Sequence, residues 1–233
     1  MGVNIFSNSA INIANHTSLN FNVLRQHVLI FGGTSGIGLG VAKLSLAASA
    51  KVTVSSSSSK RIESTVQDLK SEFPNAQLQG HVCDLSKDTI EEDLEALFQK
   101  TSQVDHIVFT ATDAPAIMPV QEITREKLIA AGQVRFFAAV LVAKIASRYL
   151  SPAGYLGGTC SVACNLAVDL KPIRVNAVSP GLEQEKICQF SAAKNPTGRI
   201  AQPEEVAEAY LYLMKDTNIT GRIVSTDSGA SLV

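Results

Sequence analysis

No tryptophan occurs in this chain of 233 residues, and histidine is sparse, with four residues scattered at positions 16, 27, 81 and 106. A metal centre needs three or four convergent His, Cys, Asp or Glu ligands, so the scatter argues against a metal enzyme. Cysteine is confined to positions 83, 160, 164 and 188, with neither CxxC spacing nor secreted-scaffold density. That usage points to reduced thiols and a cytoplasmic setting. Excess charge is missing as well, since 20 Lys and Arg stand against 21 Asp and Glu for a formal charge of −1. Such a balance excludes a generic nucleic-acid binder and leaves small anionic ligands open. No uninterrupted apolar run approaches the ~20 residues of a membrane span, so no membrane role is expected. Residues 1–22, rich in Asn and Ser, lack the basic start and apolar core of a secretory signal and read as an N-terminal extension.

What remains is 45% apolar, enough for one domain with a full-sized core over residues 23–233. Apolar runs at His27–Phe31, Lys51–Ser55, Gln77–Cys83, Asp105–Thr110, Ile173–Ser179 and Gly221–Thr226 read as strands. Between them, helical spacing marks Ile37–Ala48, Arg61–Lys70, Asp88–Lys100 (capped by Ser86 or Asp88) and Glu204–Lys215. Strands separated by helices of this length predict an α/β protein with a parallel sheet covered on both faces. The alternation fails once. A long helix over 124–150 is followed, after only Ser151-Pro152-Ala153-Gly154, by a second helical stretch at Tyr155–Leu170, leaving no room for a strand.

Gly32-Gly33-Thr34-Ser35-Gly36-Ile37-Gly38 lies between the first strand and a helix. Glycines there let the backbone turn and approach a pyrophosphate, whose charge sits at the helix N-terminus; Gly32, Thr34, Ser35, Gly36, Ile37 and Gly38 are therefore candidate dinucleotide contacts. A ribose diol is normally held by an acid at the end of the second strand. Here that place reads Ser55-Ser56-Ser57-Ser58-Ser59-Lys60-Arg61, with no carboxylate before Glu63. Hydroxyls on Ser56, Ser57 and Ser58 followed by the Lys60 and Arg61 cations suit a 2′-phosphate, so NADP(H) is the expected cofactor.

These residues, with Cys83-Asp84-Leu85, IRVNAVSPG over Ile173–Gly181, RIAQPEEV from Arg199 and the closing Asp227-Ser228-Gly229, resemble the short-chain dehydrogenase/reductase family. The likeness runs from Leu24 to the C-terminus. It implies a three-layer Rossmann fold with a doubly wound sheet, and a homodimer or homotetramer built on helices 124–150 and 155–170. It also implies that Asp84 and Leu85 contact adenine, that Pro180 and Gly181 flank nicotinamide, and that Thr110 and Ala111 border the cofactor.

Departures from the family pattern are as informative. The motif after the fourth strand is replaced by Thr110-Ala111-Thr112-Asp113, and the active-site Asn aligns with Gln133. Counting back from Leu166–Leu170 puts Leu156 where the family has its catalytic Lys and Pro152 where it has its Tyr. Either the sheet lacks its central strand, or the sequence closes over segments missing near 152/153 and 182/183. Two facing strand edges would be exposed by the first, which favours the second. Without the ammonium, a phenol's pKa would not fall toward neutrality. Tyr155 is a possible stand-in that more simply packs at a helix start. Asp113, at the carboxyl edge of the sheet, and Arg135, inside an apolar helix, are the candidate catalytic residues together with Gln133.

FTAxD at Phe109–Asp113 followed by AGxxRF at Ala131–Phe136 resembles an unusual fungal branch of the family. That branch includes NADPH-dependent reductases of indole-alkaloid assembly that also act as Diels–Alderases. The resemblance implies an alkaloid-like or polycyclic small-molecule substrate, reduction of an imine, iminium or activated carbonyl, and possible control of a [4+2] cycloaddition. A cofactor-binding scaffold or pure cyclase is the alternative.

Overall fold

In the computed structural model, residues 25–113, 118–158, 160–181 and 195–232 are described. The run His27–Phe31 forms β1 and is buried at every position, as a strand covered on both faces must be. Beside it lie β2 (Lys51–Ser56), β3 (Leu78–Val82), β4 (Val104–Phe109), β5 (Leu150–Gly158), β6 (Arg174–Pro180) and β7 (Ile223–Thr226). All neighbours are parallel, in the order β3-β2-β1-β4-β5-β6-β7.

Parallel neighbours require crossovers, and helices make them. On one face α1 (Gly36–Ala47), α2 (Ser59–Glu72) and α6 (Pro203–Lys215) cover Val28, Ile30, Val52, Val54 and Val108. On the other, α3 (Ile90–Thr101), α4 (Arg125–Ala146) and α5 (Cys160–Asp169) cover Leu29, Phe31, Ile107, Phe109 and Val175. Alternate residues of each strand thus feed two cores, the three-layer, doubly wound Rossmann architecture. Strand order reverses between β1 and β4, and such sheets bind ligands in the crevice at the carboxyl ends of that pair.

The stretch read as a helix over Tyr155–Leu170 divides instead into the end of β5 and α5. Tyr155, Leu156 and Gly157 pair with His106, Ile107 and Val108 on one side and with Arg174, Val175 and Asn176 on the other. A helix there would have left the inner edges of β4 and β6 unpaired in the core, a cost that overrides local spacing. The sheet thus keeps its central strand, and of the two readings of the short 151–154 stretch the one in which that strand is absent falls. The expected shortening at 182/183 and the N-terminal extension at 1–22 lie outside the described residues.

Two helices differ in detail. For α3, neither Ser86 nor Asp88 is the cap: Thr89 holds that position without a side-chain bond to the backbone, and its hydroxyl donates to Asp93 Oδ2 at 2.9 Å. The long helix ends at Ala146 rather than Leu150 and contains a π-helical turn over Gln133–Ala138. Although charges interrupt it, Arg125–Ala146 is by length and composition apolar enough to cross a membrane, with a mean hydropathy of 1.8 over its most apolar 18-residue window. In the fold, its Ala138, Val142, Ala143, Ile145 and Ala146 are packed in the core.

Buried polar groups tie the layers together. Arg174, 7% exposed, donates from Nη1 to the Leu213 and Asp216 carbonyls at 2.8 and 2.7 Å, and from Nη2 to that of Met214 at 3.1 Å. These include carbonyls that the last turn of α6 leaves without intrahelical partners. His106, Tyr155 and Arg174 stand side by side in register across β4, β5 and β6, all buried.

Candidate active site

Phe31 ends β1, and the chain turns through Gly32 at φ +82° and Gly36 at φ +51°, backbone values that favour glycine. A β-carbon on Gly32 would lie 2.7 Å from the Ala111 amide nitrogen, and one on Gly38 would lie 2.5 Å from Thr110 Oγ1. The glycine loop therefore packs directly against the segment leaving β4, and Thr110 Oγ1 locks the contact by donating to the Phe31 carbonyl at 2.9 Å. Ser35 occupies the N-cap of α1 without a side-chain bond, and the first turn holds no acid. Its amides are left for an anion.

This loop borders a cavity of about 640 Å³ at the β1/β4 crevice. Such a volume is in the range of sites that hold large organic ligands. Gly32, Thr34, Ser35, Gly36, Ile37 and Gly38 all line it. At one end stand Ser56 and Ser57 from the end of β2, with Asp84 and Leu85 following β3. At the other are Thr110, Ala111 and Asp113 beyond β4, Arg135 from α4, and Pro180 from β6. The crowded glycines, the uncapped helix start and the cavity together fit a dinucleotide.

Four sequence-derived candidates fall outside the lining. Ser58 is occupied as the N-cap of α2, accepting from the Arg61 amide at 3.3 Å. Lys60 is exposed on α2, while Arg61 takes the place at the cavity and donates from Nη2 to Ser57 Oγ at 3.1 Å. Gly181 donates its amide to the Thr226 carbonyl at 3.2 Å. Gln133 begins the π-turn, whose next two residues, Val134 and Arg135, line the cavity instead. Sequence reasoning also missed Ser86 and Tyr210 among the lining. Ser86 follows Asp84 at an Asx-turn spacing that could have been read; nothing local marks Tyr210.

Charge within the cavity is set by small contacts. Hydrogen bonds from the Ser86 hydroxyl (2.7 Å) and amide (3.1 Å) hold the Asp84 carboxyl below its ordinary range. Burial pushes the Cys83 thiol up to about 12, so it is inert as a nucleophile. Arg135 Nη2 donates to the Asp113 carbonyl oxygen at 2.6 Å, a bond that fixes the loop after β4 and does not use the Asp113 carboxylate.

The remaining candidates are structural. Leu156 is 2% exposed in the core beside α3 and α5. Tyr155 points to the opposite core at 0% exposure, and burial drives its phenol well above the ordinary range. His81, half-buried on β3, does not line the cavity, and burial lowers its pKa. Cys164 Sγ donates to the Gly221 carbonyl at 3.2 Å. Among the described residues no three His, Cys, Asp or Glu come together as a metal site.

A glycine turn cradling a helix start at the switch point of a parallel sheet defines a dinucleotide-binding Rossmann protein. The family described as "SDR-like rossmann domain" matches residues 20–155, and that described as "Enoyl-(Acyl carrier protein) reductase" matches 157–231. The chain belongs to the short-chain dehydrogenase/reductase family, whose enzymes use nicotinamide cofactors. It is 35% identical over 250 residues to the short-chain dehydrogenase/reductase malC of Malbranchea aurantiaca, covering 89% of this chain and 95% of that protein. It is 36% identical over 251 residues to fsr5 of Gibberella fujikuroi, with the same coverages. The solved structure of MalC Reductase/Diels-Alderase superposes with a TM-score of 0.85 at 34% identity, over 92% of this chain and all of that one. Because these alignments are longer than the 233-residue chain, the relatives carry residues that it lacks.

Proposed function

We propose that this protein is an NADP(H)-dependent oxidoreductase of secondary metabolism that reduces an imine, iminium or activated carbonyl in a polycyclic or alkaloid-like intermediate. In this reading its cavity also steers a [4+2] cycloaddition. The observation that carries it is the cavity lining, where Asp113 and Arg135 stand beyond β4 and, among the described residues, no lysine is present. The likeness to MalC Reductase/Diels-Alderase supports the substrate class.

The bound cofactor supplies hydride. The chain's own residues bind and orient. Ser56, Ser57 and the Arg61 guanidinium offer hydroxyls and a forked cation to a 2′-phosphate. Arg135 anchors the Asp113 loop through its guanidinium. The Asp113 carboxylate then faces a cationic C=N group with the sign that stabilises it. An iminium is already electrophilic, so its reduction does not require a strong acid at the site.

Steady-state assay of NADPH oxidation against cyclic imines, iminium salts and simple ketones tests this. Turnover of the C=N compounds is expected, falling by about 10-fold or more in Asp113→Asn and Arg135→Ala if each removes one charge-assisted contact. Reduction of simple ketones alone, indifferent to both substitutions, would overturn the reading. Tight NADPH binding with no turnover would favour a scaffold or pure cyclase.

The exposed side chains of Leu128, Ile129, Phe136 and Phe137 on α4, and Val168 on α5, support a homodimer or homotetramer in which a second copy covers these helices. Sedimentation at the monomer mass across micromolar concentrations would remove that assembly. The free Cys83 and Cys164 support a reducing, cytoplasmic setting.

A further inference from the structure

Tyr210 reaches the cavity from an unexpected direction. It belongs to α6, on the face of the sheet covered by α1 and α2, and is 5% exposed. Helical side chains lean toward their helix N-terminus. The start of α6 lies against Gly40 of α1, where a β-carbon would meet Glu204 Cα and Ala207 Cβ at 3.2 Å. The ring is thereby directed toward the carboxyl edge of the sheet, where it lines the cavity with Val178 and Pro180 of β6.

A second phenol supports it. Tyr155 is fully buried, and its hydroxyl has no hydrogen-bond partner among the described residues. That hydroxyl lies under Gly157, two residues nearer the carboxyl edge, since a β-carbon there would fall 2.8 Å from Tyr155 Oη. A side chain at 157 would have to displace it. The two phenols are close enough for Tyr210 to oppose ionisation of Tyr155, a smaller effect than burial itself.

The cavity has two ends. Ser57, Arg61 and Asp84 stand at the end suited to a phosphorylated adenosine, with the glycine loop between it and β6. We propose that Tyr210 is a positioning residue for the nicotinamide half of the dinucleotide, its phenol forming the floor beneath that end with Val178 and Pro180. The assignment rests on the reading of the cavity as a dinucleotide site.

Calorimetric titration with NADPH and with 2′,5′-ADP, which lacks the nicotinamide half, tests it. Tyr210→Leu, which removes the ring, is expected to weaken NADPH by about 10-fold or more, and Tyr210→Phe, which keeps it, by less. Affinity for 2′,5′-ADP should stay within about 2-fold of wild type in both variants, a difference well below one hydrogen bond. Because the chain has no tryptophan, tyrosine emission is readable directly. Its quenching by NADPH should shrink in Tyr210→Phe. Parallel loss of both ligands would mean that Tyr210 merely supports the fold, and unchanged NADPH binding in Tyr210→Leu would mean no contact; either result overturns the assignment alone. A wild-type protein that binds neither ligand overturns the dinucleotide reading together with it.

Discussion

Gly38→Ala is expected to abolish dinucleotide binding, weakening NADPH and NADH alike by about 100-fold or more, or roughly 2.7 kcal/mol. The added β-carbon would be driven against the Gly32 carbonyl oxygen and to within 2.5 Å of Thr110 Oγ1. Backbone cannot yield there without moving the turn that presents the α1 amides, so the variant acts on the phosphate cradle itself. Arg61→Ala should behave differently. It removes the cation beside Ser57 and should cost NADPH about 10-fold or more while leaving NADH nearly unchanged, because only the former carries a 2′-phosphate. Titration of both cofactors against both variants, with a urea melt to establish that each is folded, separates the two effects. A folded Gly38→Ala that binds as wild type would contradict the cradle; equal losses of NADPH and NADH in Arg61→Ala would contradict the phosphate site.

Acid should destabilise the protein in a window set by histidine. Burial lowers His106 from 6.5 to about 4, while its neighbours Asp105 and Arg174 push in opposite directions. At pH above 6.5 the imidazole is neutral in both folded and unfolded chains, and its contribution is fully present. Between 6.5 and 4 the unfolded chain takes up a proton that the folded chain refuses, so stability falls as the pH falls. One unit corresponds to about 1.4 kcal/mol, so this residue alone accounts for about 3 kcal/mol across the window. His27, also lowered by burial, adds with the same sign. Glu205, held down to about 2 by its Arg199 partner, loses its contribution as the pH falls from about 4.5 toward 2, so it overlaps only the acid end of this window. Urea unfolding between pH 4 and 7.5 should show this slope, and His106→Gln should flatten it by about one proton. A slope unaffected by that substitution would place the acid response elsewhere.

Much of the fold is legible along the chain because its signals are local. Continuous apolar runs such as VLIF and VTV mark strands buried on both faces, and the glycines at 32 and 36 supply backbone angles that other residues resist. The order of these pieces is enough to imply the doubly wound sheet and the site at its crevice. The serine run and the two cations after it are plain in the sequence, but that Arg61 and not Lys60 lines the cavity is not. Adjacent residues on a helix differ by about 100° in direction, and which of them faces the cavity is settled by how α2 docks.

β5 is the clearest case of the opposite kind. Gly154–Gly158 has weak strand character by itself, and its spacing runs smoothly into a helix. It becomes a strand because His106 and Arg174, distant in sequence, leave a slot between β4 and β6 whose backbone groups only an extended segment can satisfy. The same long-range packing turns Tyr155 away from the cavity, sets Arg135 beside it after the π-turn begins, and brings Tyr210 to it from the helix that begins at Pro203, well beyond β5. Turn chemistry and periodicity are properties of neighbouring residues and survive in the bare sequence. Which side chains share a cavity depends on free energies gained only when distant segments close around one core, and these leave no local trace.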